Sequence, residues 1–172
     1  MRMFFTSDLH FEHANIIEYC NRPFFNVDYM NKTLVERWNA LVNHDDLVYC
    51  VGDFYMNRGG RGYRYWQFML NGDIVHIKGN HDKNNGVKTL IHRCILHFGG
   101  KSVFVTHRPP HTVGEIPKGI NFVICGHVHN LWKHKFVGDI PVINVSTDVW
   151  QFQPAPMESI LKYYRKIMKE IK

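Results

Sequence analysis

The sequence predicts an α/β fold with mixed strands, on three observations. Short apolar runs such as Leu47-Val48-Tyr49-Cys50-Val51 and Phe122-Val123-Ile124-Cys125 have the length and composition of buried strands. Other stretches repeat apolar residues at helical spacing. Several of the apolar runs end, within a few positions, in Asp, Asn or His, which are residues that bind metals or titrate.

In chain order, Met3-Phe4-Phe5-Thr6 reads as the first strand and delivers Asp8 and His10 to its end. His13 to Tyr19 predicts a helical turn, stopped by Pro23. Asp28 is the expected cap of the next helix, whose apolar face is Met30, Leu34, Trp38 and Leu41. Leu47–Val51 is a strand ending in Gly52-Asp53, and Asn57 to Gly62 a loop. Tyr63 to Leu70 predicts a helix closed by Asn71-Gly72. Ile74 to Ile77 predicts a strand, and Val87, Leu90 and Ile91 a short helix. Strands at Cys94 to Phe98 and Ser102 to Val105 flank Gly99-Gly100, and the second delivers His107. Pro109-Pro110 forces an extended loop. Phe122 to Cys125 delivers His127 and His129, and a hairpin is expected across Gly138-Asp139. Ile160, Leu161, Tyr164, Ile167, Met168 and Ile171 form the stripe of a last helix.

The 172 residues fit one domain, 1–172, with a sizeable core. With 45% hydrophobic residues the chain is expected to be globular, and no long apolar run or secretory signal is visible, so no membrane association is expected. Net charge is +6, which favours anionic substrates without naming one. Cys20, Cys50, Cys94 and Cys125 form no CxxC pair. Cys50 and Cys125 read as reduced core residues, and a cytoplasmic setting is expected.

The sequence places Asp8-Leu9-His10, Gly52-Asp53, Gly79-Asn80-His81-Asp82, Thr106-His107 and Gly126-His127-Val128-His129 at strand ends in that order. Strand ends on one side of a sheet converge on a crevice. Asp, Asn and His suit hard to borderline divalent metals, and no cysteine joins the set. Singly, each piece is a common solvated turn. Together they would strand several polar groups at buried positions unless they share a ligand.

This ordered set resembles the calcineurin-like metallophosphoesterases: DxH, then GD, GNHD, a single H and GHxH. The resemblance implies two packed mixed sheets flanked by helices, an αββα sandwich. It also implies two divalent metal ions, Mn foremost, with Fe, Zn and Ni alternatives. One would be held by Asp8, His10, Asp53 and His129, the other by Asp53, Asn80, His107 and His127, with Asp53 bridging. Two cations about 3.5–4 Å apart can turn a shared water into a hydroxide that attacks phosphorus in line. His81 is then expected to protonate the leaving oxygen, and Asp82 to orient the His81 ring. The segment around His13 and Arg22 resembles small bacterial and phage phosphoesterases, so His13 and Arg22 are candidates for contact with substrate. Arg108 and His111 flank His107 and are candidates to line the pocket, Arg108 as a further substrate contact.

The function implied is hydrolysis of small phosphodiesters or nucleotides, cyclic nucleotides among them, with no obligate protein partner. A nuclease acting on short nucleic acids, or a scaffold of the same fold without catalysis, are the alternatives. Arg58, Arg61, Arg64, Tyr63, Tyr65 and Trp66 mix cations and aromatics as single-strand binders do, although an amphipathic helix explains them better. Many relatives carry an acidic residue shortly after Gly-Asp, where this chain has Phe54-Tyr55-Met56-Asn57. Asp148 and Trp150 read as a structural corner, and His44, His76, His92, His97 and His134 as structural or surface rings.

Overall fold

A computed structural model describes residues 1–56 and 60–170. Of the predicted features, Asn57, Arg58 and Gly59 in the loop and Ile171 in the last helix lie outside these residues.

Among the described residues, nine strands form two sheets. The first has the order β3-β2-β1-β9, from β1 (Met3–Thr6), β2 (Leu47–Val51), β3 (Asp73–Ile77) and β9 (Ala155–Pro156). Its first three strands are parallel and β9 is antiparallel. The second sheet has the order β4-β5-β6-β8-β7, from β4 (Arg93–Phe98), β5 (Lys101–Thr106), β6 (Phe122–Cys125), β7 (His134–Val137) and β8 (Ile140–Asn144). Here β5, β6 and β8 run parallel, and β4 and β7 cap the edges antiparallel.

Period-two alternation sorts the side chains into layers. Phe5, Val51 and Ile77 of the first sheet meet Val103, Val105, Phe122, Ile124 and Ile143 of the second. On the outer face of the first sheet, Phe4, Val48 and Cys50 pack with residues of three helices. These are α1 (Asn15–Tyr19), α2 (Val27–Asn39) and α3 (Tyr63–Phe68). Phe104, Val123, Cys125 and Val142 on the outer face of the second sheet are covered by Ile116 and Ile120. The last helix, α4 (Met157–Lys169), buries Ile160, Leu161 and Ile167 into the layer between the sheets.

Three local expectations change. Helix α2 is capped by Asn26, whose side-chain oxygen accepts the Tyr29 N–H at 2.8 Å, so Asp28 sits in the first turn and not at the cap. No helix forms over 87–91. There the chain runs beside β3, with the Lys78 N–H donated to the Ile91 carbonyl and the Thr89 hydroxyl to the His76 carbonyl. Those bonds fix an extended path, with Val87 buried and Leu90 exposed. Trp66 is core: it stacks on Phe11 at 4.7 Å and donates to Glu12, so of the aromatics in that stretch it is not open for stacking. All four cysteines are free thiols, and three of them are buried. No helix of the described residues is long and apolar enough to cross a membrane.

Candidate metal centre

The loops leaving β1 and β2 stay zipped past the strand ends, through Asp8 N–H to Gly52 O, His10 N–H to Asp53 O and Phe11 N–H to Phe54 O. Ser7 and Ser146 form a parallel bridge that joins the loop after β1 to the loop after β8. The ends of both sheets therefore meet around Asp8, which also accepts the His127 N–H at 3.0 Å.

Backbone shape at this junction is unusual. Asp8, His10, Asp53, His127 and His129 all have φ between 46° and 73°. Non-glycine residues enter this region rarely and at a cost, and clusters of them mark functional sites. The loops also approach closely. A Cβ on Gly79 would collide with the Asp53 backbone nitrogen and carboxylate, and one on Gly126 with Ser7 and Asp8.

Two groups of ligand-type atoms result, each with its atoms within 4.8 Å of one another: Asp8, His10 and His129, and Asp53, His107 and His127. Asp53 stands between them. Its Oδ2 lies 3.8 Å from His10 Nε2 and 3.3 Å from His107 Nε2. Asn80 Oδ1 is 3.0 Å from the same His107 nitrogen. Every ligand residue named from the sequence is thus brought together.

Tautomers support the reading. His107 Nδ1 lies 2.8 Å from the Val51 carbonyl, and His129 Nδ1 lies 3.1 Å from Asp148 Oδ2. A proton held on each Nδ1 leaves Nε2 as the lone-pair donor. His10 Nε2 is fully buried and has no hydrogen-bond partner among the described residues. An orphaned ring nitrogen facing carboxylates fits a divalent cation.

Charge is tuned accordingly. Burial pulls the His129 ring down, but its bond to Asp148, then Cys20 and the Asp8 charge, raise it to about 10. Burial likewise lowers His107, and Asp53 and Asp8 overcome it, giving about 8. Burial, helped by the nearby Arg22, His129 and His13, takes His10 well below its ordinary value, against the pull of Asp53. Asp53 itself is raised by burial and lowered more by His107 and His10, so it stays ionised. Without cations, His129 favours folding below its unfolded value of 6.5, and that contribution is lost as pH rises through about 10.

Behind His129 lies Asp148, which the sequence suggests only as part of a structural corner. Asp148 accepts from His129, from Ser146 Oγ at 2.8 Å and from Arg22 Nε and Nη2 at 2.8 and 2.9 Å. Cys20 lies close enough to His129 and Asp148 to form a third ligand-type group, but Asp148 is already committed to these partners. Carboxylate–histidine pairs of this kind orient metal ligands. Asp148→Asn is expected to weaken cation binding by about 10–100-fold. Calorimetry at pH 7.5 in buffers of different ionisation enthalpy should also show about one fewer proton released on metal uptake. Unchanged proton release would leave Asp148 a purely structural residue.

Two expectations are corrected. Arg22 is buried and fully engaged, donating to the Asp8 and Leu9 carbonyls as well as to Asp148, so it positions the ligand loop and has no arm for substrate. Asp82 does not orient the His81 ring. Its carboxylate accepts three backbone N–H groups, from Gly79 at 2.7 Å and from Asp53 and Phe54 at 3.1 Å. Asp82 opens a tight 3-10 turn, which sends its side chain inward while His81 faces out. Burial raises the Asp82 pKa and these N–H groups oppose it. Asp82→Ala is expected to remove about 3 kcal/mol or more, since it strands buried donors. Denaturation of the metal-free protein measures this, and an unchanged midpoint with an altered pH–rate profile would restore the orienting role.

His13 is buried with its Nδ1 3.3 Å from His10 Nδ1, which places it against a ligand ring. His81 is half exposed, its Nε2 4.0 Å from Asp53 Oδ2, while its backbone N–H is donated to Asp53 Oδ1 at 2.9 Å. Arg108 is exposed beside His107 and lines a cleft with it.

Comparison with known proteins settles the kinship. The calcineurin-like phosphoesterase superfamily domain matches residues 1–154. The chain belongs to the calcineurin-like phosphoesterase superfamily. It is 37% identical to the uncharacterized protein MJ1445 of Methanocaldococcus jannaschii, over 96% of this chain and 92% of that one. Its fold is similar to that of protein AQ665 of unknown function from Aquifex aeolicus, with a TM-score of 0.71 and 21% identity, covering 94% and 98% of the two chains. Vps29 of Chaetomium thermophilum is a more distant structural neighbour, with a TM-score of 0.51 and 11% identity over 83% and 69%. These similarities agree with the two mixed sheets flanked by helices described above.

Proposed function

We propose that the chain is a phosphoesterase that works with two divalent cations, Mn²⁺ foremost, and hydrolyses small phosphodiesters or nucleotides. The observation that carries this is the Asp53 carboxylate placed between His10 Nε2 and His107 Nε2. A carboxylate can serve two ions, whereas a neutral imidazole serves one.

Asp8, His10, Asp53 and His129 would hold one cation, and Asp53, Asn80, His107 and His127 the other. Bound there, the cations would supply Lewis acidity, lowering the pKa of a water and neutralising charge on phosphoryl oxygens. The chain's own part is to fix that geometry. Val51 and Asp148 hold the tautomers, Arg22 and Asp82 brace the loops, and His81 donates a proton to the leaving oxygen. Retention of His81 beside the complete ligand set favours catalysis over a scaffold role.

Chelator-treated protein is expected to lose hydrolysis of bis(4-nitrophenyl) phosphate and to regain it with Mn²⁺. Equal turnover without any divalent ion would overturn the proposal. The same assay with aryl monoester, cyclic nucleotide and a short single-stranded oligonucleotide separates the substrate classes, the oligonucleotide testing a nuclease.

A further inference from the structure

Next to the second ligand group the surface folds inward into a cleft of ≈ 330 Å³, bounded on one side by Asn80 and His107. Its other walls carry Lys78, Lys83, His92 and Arg108, and no carboxylate lines it. Four separate segments bring these side chains together. Lys78 leaves β3, Lys83 lies in the 3-10 turn over 82–84, His92 precedes β4 and Arg108 follows His107. The bond from Lys78 N–H to the Ile91 carbonyl, 2.8 Å long, fixes the first wall to the segment carrying His92.

Scattered surface lysines are ordinary, and some of those elsewhere on this chain find acids, as Lys32 does with Glu36 and Lys166 with Glu170, while others do not. Among the described residues, no carboxylate pairs with Lys78, Lys83 or Arg108, although Lys78 is half buried. Unpaired cations gathered in a concave, partly desolvated cleft attract a multiply charged anion far more strongly than they would on a flat surface. Arg108 also acts on the ligand group itself: burial, then His107 and then Arg108 lower the His127 ring. One reacting phosphate would already be matched by the ligand group with its cations. The cleft cations are in excess of that need.

We propose that this cleft is a subsite for a second phosphate, so that the substrate carries a phosphate group in addition to the one that reacts. The proposal deepens the phosphoesterase reading and rests on it for the identity of the reacting group. Lys83 and Arg108 are exposed, carry full positive charges and grip the second phosphate. Half-buried Lys78 and exposed His92 complete the lining.

The test is equilibrium binding of thymidine 5′-phosphate, thymidine 3′,5′-bisphosphate and thymidine 5′-diphosphate by calorimetry, in metal-loaded protein and again in chelator. The readout is the ratio of affinities, since repulsion from bare Asp8 and Asp53 in chelator acts on all three ligands. At least one two-phosphate ligand is expected to bind ten-fold or more tightly than the monophosphate, and which one does so shows whether a sugar separates the phosphates. In K83Q/R108Q that advantage is expected to fall below about threefold. A control removing the same charge from α4, K162Q/K169Q, is expected to keep it. No advantage in the unmodified protein, or an equal loss in both variants, would overturn the subsite. Failure of hydrolysis with every cation would instead sink the phosphoesterase reading, without altering these ratios.

Discussion

Asp53→Asn is expected to lower kcat/KM on an aryl phosphodiester by about 10³-fold or more, equivalent to about 4 kcal/mol of barrier. The substitution keeps the shape and leaves one oxygen to accept the His81 N–H, as Asp53 Oδ1 does at 2.9 Å. It removes the charge, and puts an NH₂ where Oδ2 faces His10 Nε2 and His107 Nε2. Neither cation group would then have its shared carboxylate, so metal content should fall from about two ions per chain to one or fewer. Circular dichroism should stay native, because Asp82 and the loop zipper hold the backbone independently. Two tightly held cations, with activity down less than tenfold, would remove Asp53 from the centre of the site.

The layers of the fold were legible because burial imposes a period of two. In β6, Phe122 and Ile124 face one core and Val123 and Cys125 the other, and the run is apolar because both faces are covered. Helix α2 was legible from Met30, Leu34 and Trp38, all buried. Its cap was not: Asn26 and Asp28 are both good capping residues, and only backbone geometry at Asn26 decides between them. The 87–91 stretch misled because a helical spacing over so few residues also suits an extended segment tied to β3.

The site divides in the same way. Ligands could be read as residue types at strand ends, since the chemistry resides in the side chain. Their orienting partners could not. Arg22 and Asp148 are 126 positions apart and meet only when the loops of both sheets close on each other. Asp82 was misread because adjacency in sequence suggests contact, whereas neighbours in a tight turn point apart. A buried Asp whose nearest backbone donors are unknown gives no sign of whether it will hold a ring or a loop. His92, read as a structural or surface ring, is exposed, and that it lines a cleft beside His107 was not legible because its placement depends on the Lys78–Ile91 bond.

His81→Ala carries the sharpest distinction between binding and chemistry. The His81 side chain is 44% exposed, whereas His10 and His107 are buried, so it is placed to meet a substrate and not to complete a ligand set. Its structural bond to Asp53 runs through the backbone N–H, which alanine retains. Both cations should therefore remain, while turnover falls by about 10²–10⁴-fold, the range for a lost general acid. The size of the loss should depend on the leaving group. A nitrophenolate departs as a stable anion and needs little protonation, so its ester should lose least. A nucleoside or alkyl alkoxide cannot leave without a proton, so its ester should lose most. A steeper dependence of rate on leaving-group pKa in the variant than in the unmodified protein would place the proton on His81. Parallel dependences, with the loss uniform across substrates, would mean that the ring only binds the phosphate.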